Sequence, residues 1–293
     1  MKPDALPPRR IARQTGQVLI ALLAVVLMGI SYFLVSRLNA TSTDYVTAKR
    51  QRNAKVLNQA KQALIGYVIA HANKVGENNP GALPCPEDPA DFDGTTSRQG
   101  LAGTGCASSV KVGRFPWGTL GLDRLVDADS EPLWYVVSPN FGVATAPYAS
   151  INSNSQGQLT VDGVANAAIA LIIAPGAAIN AQSATGCTAW NQSRPLTGTP
   201  DWRNYLECDN ATSPADTSFV TTGPSGSGFN DQVMVVTPAD LMPGLEAAIA
   251  DRMSREIAPL VKSAYAAVSA WNLTASAPIF PFAAPFADPS TSP

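Results

Sequence analysis

The chain has little of the chemistry on which most enzyme active sites depend. It contains a single histidine, His71, which excludes the H-E-x-x-H zinc motif and any site built on several histidines. It also lacks the G-x-S-x-G turn of serine hydrolases and the glycine-rich loops that hold phosphates or dinucleotides. A pair of catalytic carboxylates is the arrangement that sequence spacing leaves open. We therefore predict that the protein is not an enzyme.

Charge is scarce as well. Charged residues make up 14% of the chain, against about 25% in an average soluble domain. The formal net charge is −2, and removing residues 1–16 would take away four of the 20 basic residues and one of the 22 acidic ones, leaving −5. Because a nucleic-acid-binding domain needs a basic face, nucleic acid is not an expected partner.

A long uncharged stretch follows a short basic leader. Three arginines lie within residues 9–13, glycine occupies position 16, and no charged residue occurs over residues 17–36. As a helix, about 18 apolar residues cover ~27 Å, which is most of a ~30 Å hydrocarbon core. The sequence therefore predicts a membrane-spanning helix over residues 17–38 and a membrane as one partner of the chain.

Three kinds of N-terminal signal match this order of residues. A secretory signal is cut after its apolar region at a small-x-small site, for which residues 36–40 are a poor match. A plain signal anchor is not cut at all. A prepilin-type signal is cut on the cytoplasmic side, here between Gly16 and Gln17, so that the apolar segment becomes the start of a long helix. We favour the third because the glycine precedes the apolar run.

At this point the chain resembles the type IV pilin-like family, which includes pilins, minor pilins and the pseudopilins of type II secretion. The resemblance is carried by Arg13-Gln-Thr-Gly16 followed by Gln17-Val-Leu-Ile-Ala-Leu-Leu23, and in organisation it covers about residues 9–75. It implies cleavage by a prepilin peptidase and methylation of Gln17. It also implies other pilin or pseudopilin subunits as partners, contacted through the N-terminal helix.

Two positions depart from the usual family pattern. Gln17 stands where mature family members usually begin with Phe or Met. Ala21 stands where they usually have a glutamate, which neutralises the N-terminal amine of a neighbouring subunit inside the membrane. A chain without this carboxylate matches a minor subunit at a fibre tip. The resemblance thus implies a minor pilin or pseudopilin in the assembly or tip function of a type IV pilus or type II secretion pseudopilus. The alternative is a membrane-anchored periplasmic binding protein or adhesin that enters no fibre.

The cysteines and the leader together predict the location of the chain. All four cysteines lie beyond the apolar segment, at Cys85, Cys106, Cys187 and Cys208. An even number of cysteines on the exported side suggests disulfides. We therefore predict a single-pass protein of the inner membrane with a cytoplasmic N-terminus and a periplasmic head, which would be extracellular in a fibre.

The spacing of the cysteines favours one of the three connectivities. Each neighbouring pair is separated by 21 positions, so we expect Cys85–Cys106 and Cys187–Cys208. Each bond would close a loop of about 20 residues and stabilise the fold by roughly 3 kcal/mol. Four buried free thiols are the alternative.

Periodicity beyond the membrane segment predicts an α+β fold. Apolar residues recur at spacings of three and four up to His71, which indicates one helix of about 55 residues with a transmembrane half and an amphipathic half. We expect this helix to pack on an antiparallel-sheet head with strands near 133–137, 158–161, 168–174 and 232–237. A C-terminal helix should begin at a Thr237 N-cap and be interrupted at Pro259.

These patterns divide the chain into five segments. They are the leader 1–16, the transmembrane helix 17–38, its periplasmic continuation 39–76, the globular head 77–273 and the proline-rich tail 274–293. Residues 176–230 are poor in apolar residues but hold Trp190, Trp202 and Tyr205 between the second pair of cysteines. We predict a disulfide-stapled surface loop that contacts partners; the alternative is an insertion whose aromatic residues pack beneath it.

Two groups of acidic residues are candidate calcium sites. The first is Asp88, Asp91, Asp93 and Gly94, and the second is Asp127, Asp129 and Glu131. Neither has the twelve-residue ligand spacing of an EF-hand. We interpret both as solvated acidic loops and predict no cofactor, with calcium as the alternative.

Overall fold

The computed structural model of the chain describes residues 15–92, 98–144, 150–181, 190–192, 194, 201–212, 216–223 and 228–269. The chain divides into two compact units, residues 1–51 and 52–293. The described part of the first unit is helical throughout, whereas the second combines helices with antiparallel sheet. The fold is therefore α+β, with an apolar helix near the N-terminus and helices at the C-terminal end.

Helix α1 (Thr15–Ala72) is 58 residues long, close to the predicted length. No proline occurs between Pro8 and Pro80, so nothing in this stretch removes a helical backbone donor. After the helix ends, Gly76 adopts a φ of 79°. This left-handed conformation costs glycine little and lets the chain leave the helix axis.

The second unit contains nine short strands among its described residues. They are β1 (Lys111–Arg114), β2 (Trp134–Val137), β3 (Leu159–Val161), β4 (Val164–Ala168), β5 (Ala170–Ala174), β6 (Asn180–Ala181), β7 (Trp190–Asn191), β8 (Ser218–Phe219) and β9 (Gln232–Val236). The main sheet is antiparallel, in the order β1-β2-β5-β9. A second sheet has the order β4-β3-β8, and β6 pairs with β7. The strands predicted near 133–137, 158–161 and 232–237 are thus confirmed.

The main sheet is buried on both faces. Alternate residues of a strand point to opposite sides, and in β2 the side chains of Tyr135 and Val137 join one core while Trp134 and Val136 join another. Strand β5 divides its five buried residues in the same way. Double-sided burial explains why both strands read as continuous apolar runs rather than alternating ones.

Helical residues cover the first face of the sheet. Helix α1 contributes a buried stripe at spacings of three and four, made by Leu57, Ala60, Leu64, Val68 and Ala72. Lys61 on the same helix donates to the Val235 carbonyl at 3.0 Å and lies 2.8 Å from an Asp240 carboxylate oxygen. The ammonium group therefore ties α1 to both the last strand of the sheet and the helix that follows it.

Helices α2 (Pro238–Glu256) and α3 (Ala258–Ser269) follow the sheet. The predicted N-cap is confirmed, because Thr237 and Asp240 each accept a hydrogen bond from the backbone N–H of the other. The predicted interruption at Pro259 is found two residues earlier, at Ile257. Proline is tolerated in the first turn of a helix, where its missing N–H has no helical partner, so α3 starts just before it.

The second face of the main sheet is covered in part by the stretch of chain predicted to be a surface loop. Tyr205, Leu206 and Phe219 are buried and belong to the same core as Trp134. The rings of Trp134 and Tyr205 lie 5.1 Å apart, centroid to centroid. The surface-loop prediction is therefore wrong for residues 205–206 and 219, where the aromatic packing that we gave as the alternative is found instead.

Two local predictions within the head also need correction. Residues 168–174 do not form one strand, since β4 ends at Ala168 and β5 begins at Ala170. Ile169 lies between them, donating its N–H to the Val236 carbonyl at 2.9 Å and accepting from Ser138 at 3.0 Å. The apolar run therefore leaves the β4-β3-β8 sheet at this residue and enters the main sheet, so it contributes a strand to each. Residues 111–114, where no strand was predicted, form the edge strand β1.

Candidate functional site

The most exposed apolar surface of the described chain is the start of α1. Residues Ile20–Arg37 form an 18-residue window with a mean hydropathy of 2.1, and none of its side chains is buried. Ile20, Val25 and Met28 are each about 70% exposed. By length and composition, this is the one described helix able to span a membrane. A core helix of comparable hydropathy would lie largely inside the fold, whereas no part of this window is buried.

The predicted processing site lies at the first turn of this helix. Gly16 and Gln17 have helical backbone in α1, which begins at Thr15. Ala21 is exposed, and no carboxylate occurs over residues 17–36. The segment therefore presents an uncharged face to whatever surrounds it.

One of the two predicted disulfides is present among the described residues. Cys85 and Cys106 are bonded, with their Cα atoms 5.6 Å apart, and both are buried. Cys208 is also disulfide-bonded. Cys187 lies outside the described residues, so the pairing Cys187–Cys208 stays a prediction.

The disulfide joins the segment around Cys85 to the segment around Cys106, and the backbone of Val143 is hydrogen-bonded to both segments. Val143 donates to the Leu83 carbonyl at 3.0 Å and accepts from the backbone of Cys106 at 3.1 Å. Gly142 lies so close that a Cβ atom there would come within 2.5 Å of the Cys106 sulfur. The disulfide therefore lies where the segments around residues 83–85, 106 and 142–143 meet, and the missing side chain of Gly142 lets them approach closely.

The first acidic cluster is not a solvated loop where it is described. Asp91 is 6% exposed, and its carboxylate accepts from Arg98 at 3.2 Å. Asp88 accepts the backbone N–H of Ala90 and so caps a short 3₁₀ turn. Asp93 and Gly94 lie outside the described residues. The solvated interpretation is wrong at Asp91, whose carboxylate is engaged within the fold.

The second acidic cluster is also mainly structural. Asp127 is fully buried and accepts three backbone N–H groups, from Asp129, Glu131 and Gly176, at 2.7–2.9 Å. Glu131 pairs with Arg194 at 2.8 Å. Within the described ranges, no three His, Cys, Asp or Glu side chains are arranged to hold a metal ion. Asp127 instead organises its own loop, so the solvated interpretation is wrong there too.

A small pocket of the second unit is lined by polar and apolar groups that include Glu87, Arg114, Trp117 and Arg124. Glu87 is 4% exposed and accepts the Gly100 N–H at 2.5 Å; burial raises the pKa of its carboxyl group. No serine, cysteine or histidine lines the pocket, so it offers no serine or cysteine nucleophile paired with a histidine base. The prediction that the protein is not an enzyme stays a prediction.

The structure also contains a buried polar cluster that the sequence did not reveal. Glu207 and Asp231 are 0% and 4% exposed and exchange hydrogen bonds with each other's backbone. They lie 24 positions apart with no shared motif. The available sequence signal was weak: Glu207 directly follows Leu206, and Asp231 comes two positions before Val233.

Comparison with known proteins gives no family assignment. No family model matches the chain, and no match was found among curated proteins or among solved structures.

Proposed function

We propose that the chain is a minor pilin or pseudopilin that takes part in the assembly or tip function of a type IV pilus or type II secretion pseudopilus. One observation carries the proposal. A single uninterrupted helix, α1, is bare and apolar over residues 20–36 and contributes a buried stripe to a sheet core over residues 57–72. Such a helix is at once a membrane segment and a structural part of a folded head.

Two further observations support this proposal. The order of basic leader, Gly16 and apolar run resembles a prepilin signal. The buried Cys85–Cys106 disulfide suits an oxidising compartment, which corresponds to a head on the periplasmic side of the inner membrane. Subunit partners would be contacted along the exposed residues of α1, after the leader has been removed by a prepilin peptidase.

The first prediction concerns processing. We expect the mature chain to begin at methylated Gln17, and we expect Gly16→Val to leave the leader attached, because the peptidase cuts after a small residue placed before the apolar run. Intact-mass and N-terminal peptide mass spectrometry on the membrane fraction would measure both.

Two matched variants serve as controls for this experiment. Gly29→Val lies within the same apolar segment, where a new Cβ meets nothing within 4 Å, and should be processed normally. Ala40→Val would block a secretory signal peptidase but not a prepilin peptidase. A mature terminus near Ala40 would indicate a secretory signal, and an intact Met1 a plain anchor; either result contradicts the proposal.

The second prediction concerns position in the fibre. Ala21 supplies no carboxylate to the amine of a subunit stacked above, so the protein should sit at one end of the fibre. Its own amine can still use the glutamate of a neighbour. Immunogold labelling should therefore mark one end of sheared fibres.

The variant Ala21→Glu should increase the number of copies per fibre, because it restores a partner for the next amine within the apolar environment. Ala21→Gln, which is polar but uncharged, should not. Even labelling along the shaft in the wild type would contradict a tip position. A protein that is found in membranes but never in fibres would instead favour the anchored binding protein or adhesin.

A further inference from the structure

The Glu207–Asp231 pair joins two distant segments inside the second unit. Glu207 directly precedes a 3₁₀ turn at Cys208–Ala211, and Asp231 directly precedes β9. One carboxylate oxygen of Glu207 accepts the N–H groups of Asn230 and Asp231, at 2.8 and 3.0 Å. In return, Asp231 accepts the N–H of Glu207 at 3.1 Å. Each side chain thus holds the backbone of the other segment.

Neutral groups complete this network. Asn210 donates to the same Asp231 oxygen at 3.0 Å, and Gln192 donates to the second oxygen of Glu207 at 2.8 Å. The pair lies beside the core that covers the second face of the main sheet, next to Leu206 and Tyr205. The pair therefore ties the segment of residues 205–212 to the start of β9.

The charges around the pair do not balance. Among the described residues, the cation that acts on the pair is Arg194, which donates to the Gly176 carbonyl at 2.9 Å and to the Gln192 side chain at 3.1 Å. Arg194 is already paired with Glu131 at 2.8 Å. Three carboxylates thus share one guanidinium, and unpaired buried charge is costly. In addition, the second Asp231 oxygen is buried and has no hydrogen-bond partner among the described residues.

The hydrogen-bond geometry of the pair suits a proton better than a metal ion. Both Glu207 oxygens already accept N–H groups, which point positive hydrogens at the place a cation would take. Calcium binds six to eight oxygen atoms, and no three suitable side chains meet here within the described residues. Protonating one carboxyl group reduces the net charge of the three carboxylates and one guanidinium from −2 to −1 without any new ligand.

We propose that Glu207 and Asp231 together hold one proton at neutral pH and form a pH-dependent latch, which fastens residues 205–212 over the sheet when protonated and loosens when the proton is lost.

The direction of the pH dependence follows from the environment of the pair. Burial raises the pKa of both carboxyl groups, the charge of Glu207 raises that of Asp231 further, and Arg194 opposes both effects. The folded chain therefore binds more protons than the unfolded chain at pH values above the ordinary carboxylate pKa of about 4. The stabilisation is complete below that pH and is lost as pH rises through the raised pKa of the pair.

The test uses the full chain in detergent micelles. Its unfolding equilibrium constant should rise by about tenfold or more from about pH 5 to about pH 8, since each unit of pKa shift changes the constant tenfold. Hydrogen exchange supplies a second measurement that needs no mutation. The amides of Glu207, Asn230 and Asp231 should lose protection over the same range, after correction for the intrinsic pH dependence of exchange.

Asp231→Asn should remove most of this pH dependence and raise the melting temperature at pH 8. An amide keeps an oxygen for the Glu207 N–H and carries no charge. Asp123→Asn makes the same charge change at an exposed side chain and should leave the slope as in the wild type.

Three outcomes would overturn the latch. They are an unchanged slope in Asp231→Asn, amide protection at 207, 230 and 231 that stays constant from pH 5 to pH 8, and stabilisation of the wild type at pH 8 by calcium chloride. The last result would mean that a metal ion, and not a proton, neutralises the pair.

Discussion

Gly157→Ala should prevent the second unit from folding. A Cβ atom at this position would overlap the carbonyl group of Ala168 and lie 2.7 Å from the Ile169 nitrogen. These are backbone atoms at the junction of β4 and β5, so no side-chain rotation can relieve the overlap. Ala168 pairs with Leu159 in one sheet, and Ile169 bonds Val236 and Ser138 beside the other.

Relief would therefore break hydrogen bonds in both sheets. The expected loss exceeds about 4 kcal/mol, which is exceptional for one substitution and a large share of the roughly 5–15 kcal/mol that stabilises a domain. Urea unfolding of the full chain in detergent, followed by near-ultraviolet circular dichroism, measures it.

Gly66→Ala is the matched control. Gly66 is an exposed residue of α1, where a Cβ meets nothing within 4 Å. The same chemical change should stabilise the chain there by about 1 kcal/mol, because alanine loses less backbone entropy in a helix. If Gly157→Ala unfolds at the same urea concentration as the wild type, the close approach of Gly157 to the strand junction is refuted.

Removal of the Cys85–Cys106 disulfide should have the next largest effect. The bond closes a separation of 21 residues, which corresponds to roughly 3 kcal/mol if the bond acts by restricting the unfolded chain. We expect the double variant Cys85→Ala/Cys106→Ala to lose about this much. Alanine avoids adding a buried hydroxyl group at two positions that are 3% and 1% exposed.

Chemical denaturation with and without reductant separates the contribution of the Cys85–Cys106 bond from that of the bond at Cys208. Reductant should destabilise the wild type more than the double variant, in which the only remaining effect comes from the bond at Cys208. Equal stability of the wild type and the double variant without reductant would contradict the prediction. It would show that the backbone hydrogen bonds among residues 83, 106 and 143 hold these segments together without the disulfide.

Elements with a strong local signal were predictable from the sequence. The length of α1 follows from the absence of proline, and the start of α2 from the Thr237–Asp240 capping pair. Strands β2, β5 and β9 were visible as apolar runs, although the exact point at which the chain leaves β4 for β5 was not. That point depends on the hydrogen bonds of Ile169 to residues far along the chain, and no local pattern encodes them.

The arrangement of polar residues was much less predictable. Asp91 and Asp127 stand in sequences typical of solvated loops, yet backbone N–H groups and Arg98 allow both to be buried. Tyr205 and Leu206 lie in a polar stretch of sequence, but they are buried because they pack in the same core as Trp134, on the second face of the main sheet. The Glu207–Asp231 pair arises only when two segments meet in space. In each case the deciding partner is a tertiary neighbour.

The order of strands in the main sheet has a consequence for synthesis. Its centre, β5, pairs with β2 on one side and with β9 on the other, and β9 follows about 60 residues later. Such long-range pairing forms slowly. The sheet cannot close, and neither core can be sealed, until the chain has been made as far as Val236. Residues 52–236 therefore stay incompletely folded until β9 has been synthesised. The Cys85–Cys106 loop is the first part of this stretch that a covalent bond can fix.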